Sequence, residues 1–412
     1  MSQTIAEQII SKHVDRPVVA GEIVVAPVDG TMATDTTAPF AIRAFQEMGG
    51  KQVWDANRVA LILDHATPAP NERIANLHQM MREFASEQGI KFYDVGEGIC
   101  HQLMVENDHV RPGDIFLGAD SHTPTYGALG AFAIGVGSTD MAAVWLTGQT
   151  WLKVPHSIRI ELNGELQVDV SAKDIILHLV GKLGIAGATY EAIEFTGTVV
   201  QQMTLASRMV LANMVAEMGA KAGFVDTTGL QLPYAFTHHV PRITSNYRAQ
   251  FQFDVSSLEP QIAVPHSPDR IRPISTLLGT KIDAAFIGSC TNGRLEDLQA
   301  AATVVRGQTL KTRLIIAPAS RRIFNAALQD GTIATLSAAG ASFITSGCGP
   351  CVGTHQGVPG NNEAVISSTN RNFKGRMGNP NAEIYLASPA VVAAAAVAGE
   401  IIHPENVVRS LL

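Results

Sequence analysis

Along the chain, short runs of β-branched and apolar residues repeatedly end in a polar, glycine-rich stretch, and a segment of helical texture often follows. Residues 59–63 run into Asp64-His65, and residues 115–117 into Gly118-Ala119-Asp120-Ser121-His122. Residues 284–287 lead to Gly288-Ser289-Cys290-Thr291-Asn292-Gly293, and residues 341–345 to Ser346-Gly347-Cys348-Gly349-Pro350-Cys351. Two later runs, 365–367 and 384–387, lead to Asn370-Arg371 and to Ser388-Pro389. Strands alternating with helices predict α/β architecture, with parallel sheets covered on both faces. Ligands of such sheets bind beyond the carboxyl ends of the strands. The chemically versatile residues fall at just those positions, so the pattern by itself predicts one composite site.

Other stretches have a different texture. Residues 157–170 read as a β-hairpin around Asn163-Gly164. Residues 203–219 carry Met209, Val210, Met214 and Met218 at helical spacing. The segment 232–273 is proline-rich and irregular, and is expected to connect domains or cover a cleft. Residues 390–399 are rich in alanine and valine but too few to cross a bilayer, which predicts a buried helix. Ser388-Pro389 would serve that helix as cap and first turn. A chain of 412 residues exceeds one ordinary core. The textures divide it into expected domains at 1–155, 156–280 and 281–412.

Composition narrows the function classes. With 46% hydrophobic and 16% charged residues, the chain has the balance of a globular protein rather than a disordered or membrane-spanning one. A net charge of −7 and the lack of a basic stripe argue against nucleic acid as a partner. A small anionic substrate needs only a few arginines in one place. The first residues, with Glu7, Lys12 and His13, lack the apolar run of a signal peptide. Four cysteines make no disulfide framework, so a reducing cytoplasm is expected.

Cys348-Gly-Pro-Cys351 is a C-x-x-C, which fits half a zinc site, a thioredoxin-like redox pair or a pair of cluster ligands. A structural zinc site wants a second close pair, whereas Cys100 and Cys290 are isolated. The redox reading expects the motif early and at a helix start, and here it lies late. Three thiolates without an obvious fourth suit a cubane cluster with one iron left open. Flanking glycines let the backbone approach the sulfides. For Cys100, a buried inert thiol is the simpler reading.

Here a resemblance becomes specific. Gly288-Ser-Cys-Thr-Asn-Gly293 and Cys348-Gly-Pro-Cys351 resemble the cluster motifs of the aconitase superfamily. The block from Gly118 through Gly130, running on to Gly135-Val-Gly-Ser-Thr-Asp140, resembles its most distinctive signature, and Asn370-Arg-Asn-Phe-Lys-Gly-Arg376 its substrate-carboxylate loop. The motifs span the chain from about Asp29 to Ser388 in the family's order. In length and wording they are most similar to large subunits that work with a separate small subunit. The resemblance implies three α/β/α domains around a central cluster cleft, without the swivelling C-terminal domain of fused aconitases. It also implies a [4Fe–4S] cluster on Cys290, Cys348 and Cys351, with one iron not bound by cysteine.

Each further site residue has a plain alternative. Asp64-His65 reads as a solvated turn or cap, His101 as a core histidine, and Glu194 as an exposed strand position. Arg371 and Arg376 read as surface arginines in weak ion pairs. The resemblance instead implies that Asp64, His65, His101, Asp120, His122 and Glu194 form the acid–base set, with Glu194 near the histidines. It implies that Ser121, Asn370, Arg371 and Arg376 grip substrate carboxylates, and more loosely that Asp35 and Thr36 join them. The implied reaction dehydrates and rehydrates a 2-hydroxy di- or tricarboxylic acid with a malate core. Isopropylmalate, homocitrate or homoaconitate, and dimethylmalate all qualify. In fused aconitases the base that removes the carbon-bound proton is a serine on the swivelling domain. Because the sequence ends at Leu412, a small subunit is expected to bring it. RNA binding in the cluster-free state is a remote alternative, opposed by the negative charge.

Overall fold

The computed structural model describes residues 3–230 and 246–409. Its architecture is α/β, with three sheets of at least four strands and one two-stranded ribbon.

The first sheet runs Lys91–Tyr93, Val59–Ile62, Gly30–Thr34, Ile115–Gly118, Phe132–Gly135, every pair parallel. The three central strands are buried at every position, as expected when helices cover both faces. Among those helices, Glu72–Gln88 starts at Asn71, whose side chain accepts from the Ile74 amide, and ends at the left-handed Gly89. Helices Ala38–Glu47, Glu72–Gln88 and Ser138–Thr147 are locked together by Phe45, Phe84 and Trp145, whose rings lie 5.7–6.4 Å apart.

The second sheet runs Ala222–Val225, Ala192–Thr196, Ser157–Asn163, Ala249–Asp254, again all parallel. The hairpin expected over 157–170 does not form. Strand Ser157–Asn163 has both edges taken by non-local parallel partners, which leaves no edge for residues after the Asn163-Gly164 turn. Those residues lead instead to a capping box at Ser171 and the helix Ala172–Leu183. The helical spacing over 203–219 corresponds to helix Leu205–Met214 and a 3₁₀ turn, Val215–Met218.

The third sheet has seven strands: Ile271–Pro273, Gln261–Ala263, Glu383–Leu386, Ala364–Ser367, Ala284–Ile287, Arg313–Ile316, Ser342–Phe343. Its five-strand body is parallel, and the first two strands join antiparallel at one edge. The expected boundary at 280 therefore falls after two strands that belong to this sheet. Of the irregular segment expected over 232–273, residues 232–245 lie outside the described residues, and the remainder supplies three strands. Helix Pro389–Ala398 is buried almost all round, which its alanine and valine content permits. Ser388 occupies the cap position, but its hydroxyl makes no capping bond and has no partner among the described residues. No helix among the described residues is long and apolar enough to cross a membrane.

The carboxyl ends of the first and third sheets face a common cleft. Asp35, Asp64-His65 and Asp120–His122 follow strands of the first sheet. Cys290, Cys348 and Asn370-Arg371 follow strands of the third.

Candidate active site

A cavity of about 320 Å³ fills this cleft. His65, His101, Asp120, Ser121, His122, Cys290, Cys348, Cys351, Asn370, Arg371 and Arg376 all line it, as do Thr36 and Cys100. Asp64 stands directly behind His65, while Asp35 and Glu194 do not reach the cavity wall.

The cysteine loops are held by backbone contacts that few sequences allow. The Cys348 amide donates to the Asp64 carbonyl at 2.7 Å, and a Cβ on the preceding Gly347 would lie 2.9 Å from that same oxygen. Glycine at 347 is thus what lets the two loops touch. Gly353, which ends the turn carrying Cys351, has φ +71 and would collide with Gly378 if it bore a side chain. On the other loop, buried Arg294 donates to the carbonyls of Cys290 and Thr291, both at 2.7 Å. Ser368 Oγ accepts from the Gly288 amide at 3.0 Å.

All three thiols are buried. Burial, with Cys351 close by, pushes the Cys290 thiol up to about 12. Burial and Asp64 also raise Cys348, although His65 works the other way. Packing three sulfurs on one cavity is therefore costly for free thiolates, and a bound cation would relieve it by displacing the protons. Asn213 Nδ2 donates to Cys290 Sγ at 3.2 Å, which supplies a polar hydrogen to a sulfur that carries negative charge. The donor set fits a cysteine-bound iron–sulfur group. Two mixed groupings, Asp64–His65–Cys348 and His101–His122–Cys290, each bring their ligand atoms within 4.8 Å of one another. Neither Cys100 nor Cys351 belongs to these groupings; the Cys100 amide donates to Asp64 Oδ2 at 2.8 Å.

The histidines are organised by carboxylates. Asp64 Oδ1 lies 2.7 Å from His65 Nδ1, which turns Nε2 toward Asp120 at 3.4 Å. Asp120 also meets His101 Nε2 at 2.8 Å and the His122 amide at 2.7 Å. Burial acts to raise Asp120, but hydrogen bonds from His101, His122 and His65 hold it well below the usual carboxylate range. Burial opposes a charged His65, yet Asp64, Cys348 and Asp120 together hold it well above the ordinary imidazole value.

Two carboxylates sit elsewhere than expected. Glu194 bonds to the Ile5 amide at 3.0 Å and to the Tyr247 hydroxyl at 2.7 Å, on the second sheet and away from the cavity lining. The carboxylate beside the histidines is Glu217, whose Oε1 lies 2.8 Å from His122 Nε2. Glu217 also accepts from Arg371 Nε at 2.9 Å. Burial raises Glu217, but His122 and Arg371 outweigh it and keep it below the usual range. Its signal was available in the sequence: Asn213 and Glu217 are polar residues four apart in an otherwise apolar helical run. Asp35 points into the loop backbone. It accepts from the amides of His65 at 2.9 Å and Ala66 at 2.7 Å, and from His78 at 3.3 Å. Those donors outweigh burial and hold its carboxyl down to about 2.

On the opposite wall, Asn370 Nδ2 lies 3.6 Å from Cys290 Sγ. Arg376 brings Nη2 to 3.9 Å from Cys351 Sγ, and its Nε is buried without a partner among the described residues. A guanidinium has the fork geometry to pair with a carboxylate.

Comparison with known proteins agrees with this geometry. The model of the aconitase family (aconitate hydratase) matches residues 7–281 and 275–399. A 3-isopropylmalate dehydratase large subunit of Methanopyrus kandleri is 48% identical, covering 98% of this chain and 99% of that one. One from Thermotoga maritima is 47% identical over 98% and 100% of the two chains. A probable methanogen homoaconitase large subunit of Methanosarcina mazei is 48% identical over 93% and 100%. The crystal structure of Thermococcus kodakaraensis aconitase X shares the fold at a TM-score of 0.52 and 13% identity, covering 90% of this chain and 94% of that one. The chain belongs to the aconitase family.

Proposed function

We propose that the chain is the [4Fe–4S]-carrying large subunit of a hydro-lyase that interconverts 2-isopropylmalate and 3-isopropylmalate, a step of leucine biosynthesis. The observation that carries this reading is the meeting of three buried cysteines, three carboxylate-backed histidines and a buried, unpartnered arginine nitrogen on one cavity. The names of relatives at 44–48% identity over nearly the whole chain support it. Held by Cys290, Cys348 and Cys351, the cluster would supply a Lewis-acid iron for the departing hydroxyl.

The chain's own residues do the rest. Arg371 and Arg376 bind the substrate carboxylates, with Asn370 and Ser121 beside them. His65, oriented by Asp64, gives a proton to the leaving hydroxyl. His101 and His122 are kept in register by Asp120 and Glu217. The residue that takes the carbon-bound proton comes from a small partner subunit. We read the three larger sheets as three α/β/α units and place the protein in the cytoplasm, in keeping with four cysteines that are all free. A homoaconitase activity stands as the second reading, because a relative of that name is equally identical.

The test is anaerobic reconstitution with iron and sulfide, addition of the small subunit, and assay of isopropylmalate, homocitrate and dimethylmalate. Turnover of isopropylmalate only with both subunits is expected. Robust turnover by the isolated chain would overturn the two-subunit reading, and preference for homocitrate the substrate assignment.

A further inference from the structure

Lys173 is a fully buried lysine in the first turn of helix Ala172–Leu183. That is an unfavourable place for a cation twice over, because burial strips its water and the helix N-terminus carries partial positive charge. Among the described residues no carboxylate comes within 4 Å of its ammonium. Nζ donates instead to two backbone carbonyls, Ser368 at 2.8 Å and Thr369 at 2.7 Å.

These carbonyls lie on the strand-end loop that carries Asn370, the residue beside Cys290 and Cys351. The same loop is stitched to the Cys290 loop through Ser368 Oγ, which meets the Gly288 amide and the carbonyls of Gly288 and Asn292. The negative groups whose fields reach Lys173 are Asp297, Cys290, Cys351 and Glu217. Two of these four are sulfurs that become charged only when a metal group is bound.

We propose that Lys173 is a positioning residue and counter-charge for the cysteine-bound cluster, a fixed cation placed behind the Cys290 and Asn370 loops. The inference rests on the cluster reading above. It has a signature that mere loop support lacks. Burial pulls the ammonium down to about 8 although Asp297, Cys290, Cys351 and Glu217 all work the other way, and with neutral thiols two of those four opposing charges are gone. With three cysteinates and the cluster in place, the same ammonium becomes favourable. Removing the charge should therefore harm the loaded form more than the cluster-free form.

Two variants separate charge from packing. Lys173→Met removes charge and donors, while Lys173→Gln keeps a donor without the charge. Melting temperatures of the full chain would be measured cluster-free and after anaerobic reconstitution, together with the rate of cluster loss to a chelator. Both variants are expected to lose the cluster at least tenfold faster than the wild type. Cluster-free Lys173→Gln is expected to melt at or above the cluster-free wild type. Equal deficits in both forms, an unchanged rate of loss, or failure of Lys173→Gln to fold without cluster would each overturn the proposal. A wild-type chain that takes up no cluster sinks the cluster reading and this one together. Normal uptake by the wild type with indifferent variants sinks this one alone.

Discussion

The amide of Cys348 donates to the carbonyl of Asp64 at 2.7 Å, across the boundary between the first and third sheets. The loop that presents two candidate ligands is thus fastened to the loop that presents an acid–base pair. The contact is reinforced at the residue after Asp64, where the His65 carbonyl accepts from Thr354 at 3.0 Å and from His355 at 2.8 Å. A change on either loop therefore reaches the other through the backbone.

Glu217 holds His122 and Arg371 at once, so it couples the acid–base set to the carboxylate grip. Glu217→Gln keeps the shape and removes the charge. In the two-subunit enzyme kcat should drop roughly 10²-fold, the scale of one misplaced acid–base group. Cluster absorption should be unchanged, and a kcat within twofold of the wild type would refute the role.

Asp35 acts on stability. Asp35→Asn turns an N–H toward the Ala66 or His65 amide and leaves a buried donor unpaired, at a cost of about 3 kcal/mol by urea unfolding at neutral pH. The carboxyl is held down from 3.8 to about 2 in the fold, which corresponds to about 2 kcal/mol. Because the folded value is the lower one, that stability is present above the unfolded value and is lost as pH falls from about 4 to about 2. The gap between wild type and variant should narrow over that window. A gap independent of pH would show that the charge of Asp35 does not matter.

The four cysteines should divide three to one. Replacing Cys290, Cys348 or Cys351 by serine should abolish cluster uptake, read as iron content and visible absorption after reconstitution. Cys100→Ser should keep both, since the contact of Cys100 with Asp64 is made by its backbone amide, which serine retains. Loss of the cluster in the Cys100 variant would require a different ligand set.

Arg376 has a buried N–H without a partner among the described residues, whereas Arg371 is already paired with Glu217. Arg376→Met should raise KM roughly 10²-fold, the loss expected for a charge-assisted hydrogen bond. Arg376→Lys should recover only part of it, because an ammonium lacks the planar fork. Full recovery with lysine would argue for simple charge attraction.

Much of this was legible in the sequence, for a local reason. An apolar run ending in a polar loop marks a strand buried on both faces and the place where its backbone emerges. Ala284–Ile287 begins and ends where that pattern puts it. Long-range pairing was not legible. Asn163-Gly164 has the composition of a hairpin turn, but its strand is claimed by partners 35 and 91 residues away, the strands Ala192–Thr196 and Ala249–Asp254. The choice between Glu194 and Glu217 is of the same kind. Both lie among apolar residues, and only the packing of helix Leu205–Met214 and the turn after it brings one of them to His122. Lys173 is buried by a contact with residues nearly 200 positions on, at 368 and 369, which no local pattern encodes.

The strands of the first sheet behind the site are sealed on both faces, and the residues that meet the cavity stand on loops and short helical turns outside the strands. Inheritance can act on such a molecule in two tempos. The sheets tolerate little exchange without loss of the fold, while single positions on the cavity wall such as Thr36 or Val352 can drift with the architecture intact. A lineage could thus move from one hydroxy acid to another through a few substitutions at strand ends, and keep the cysteines and their backbone ties throughout.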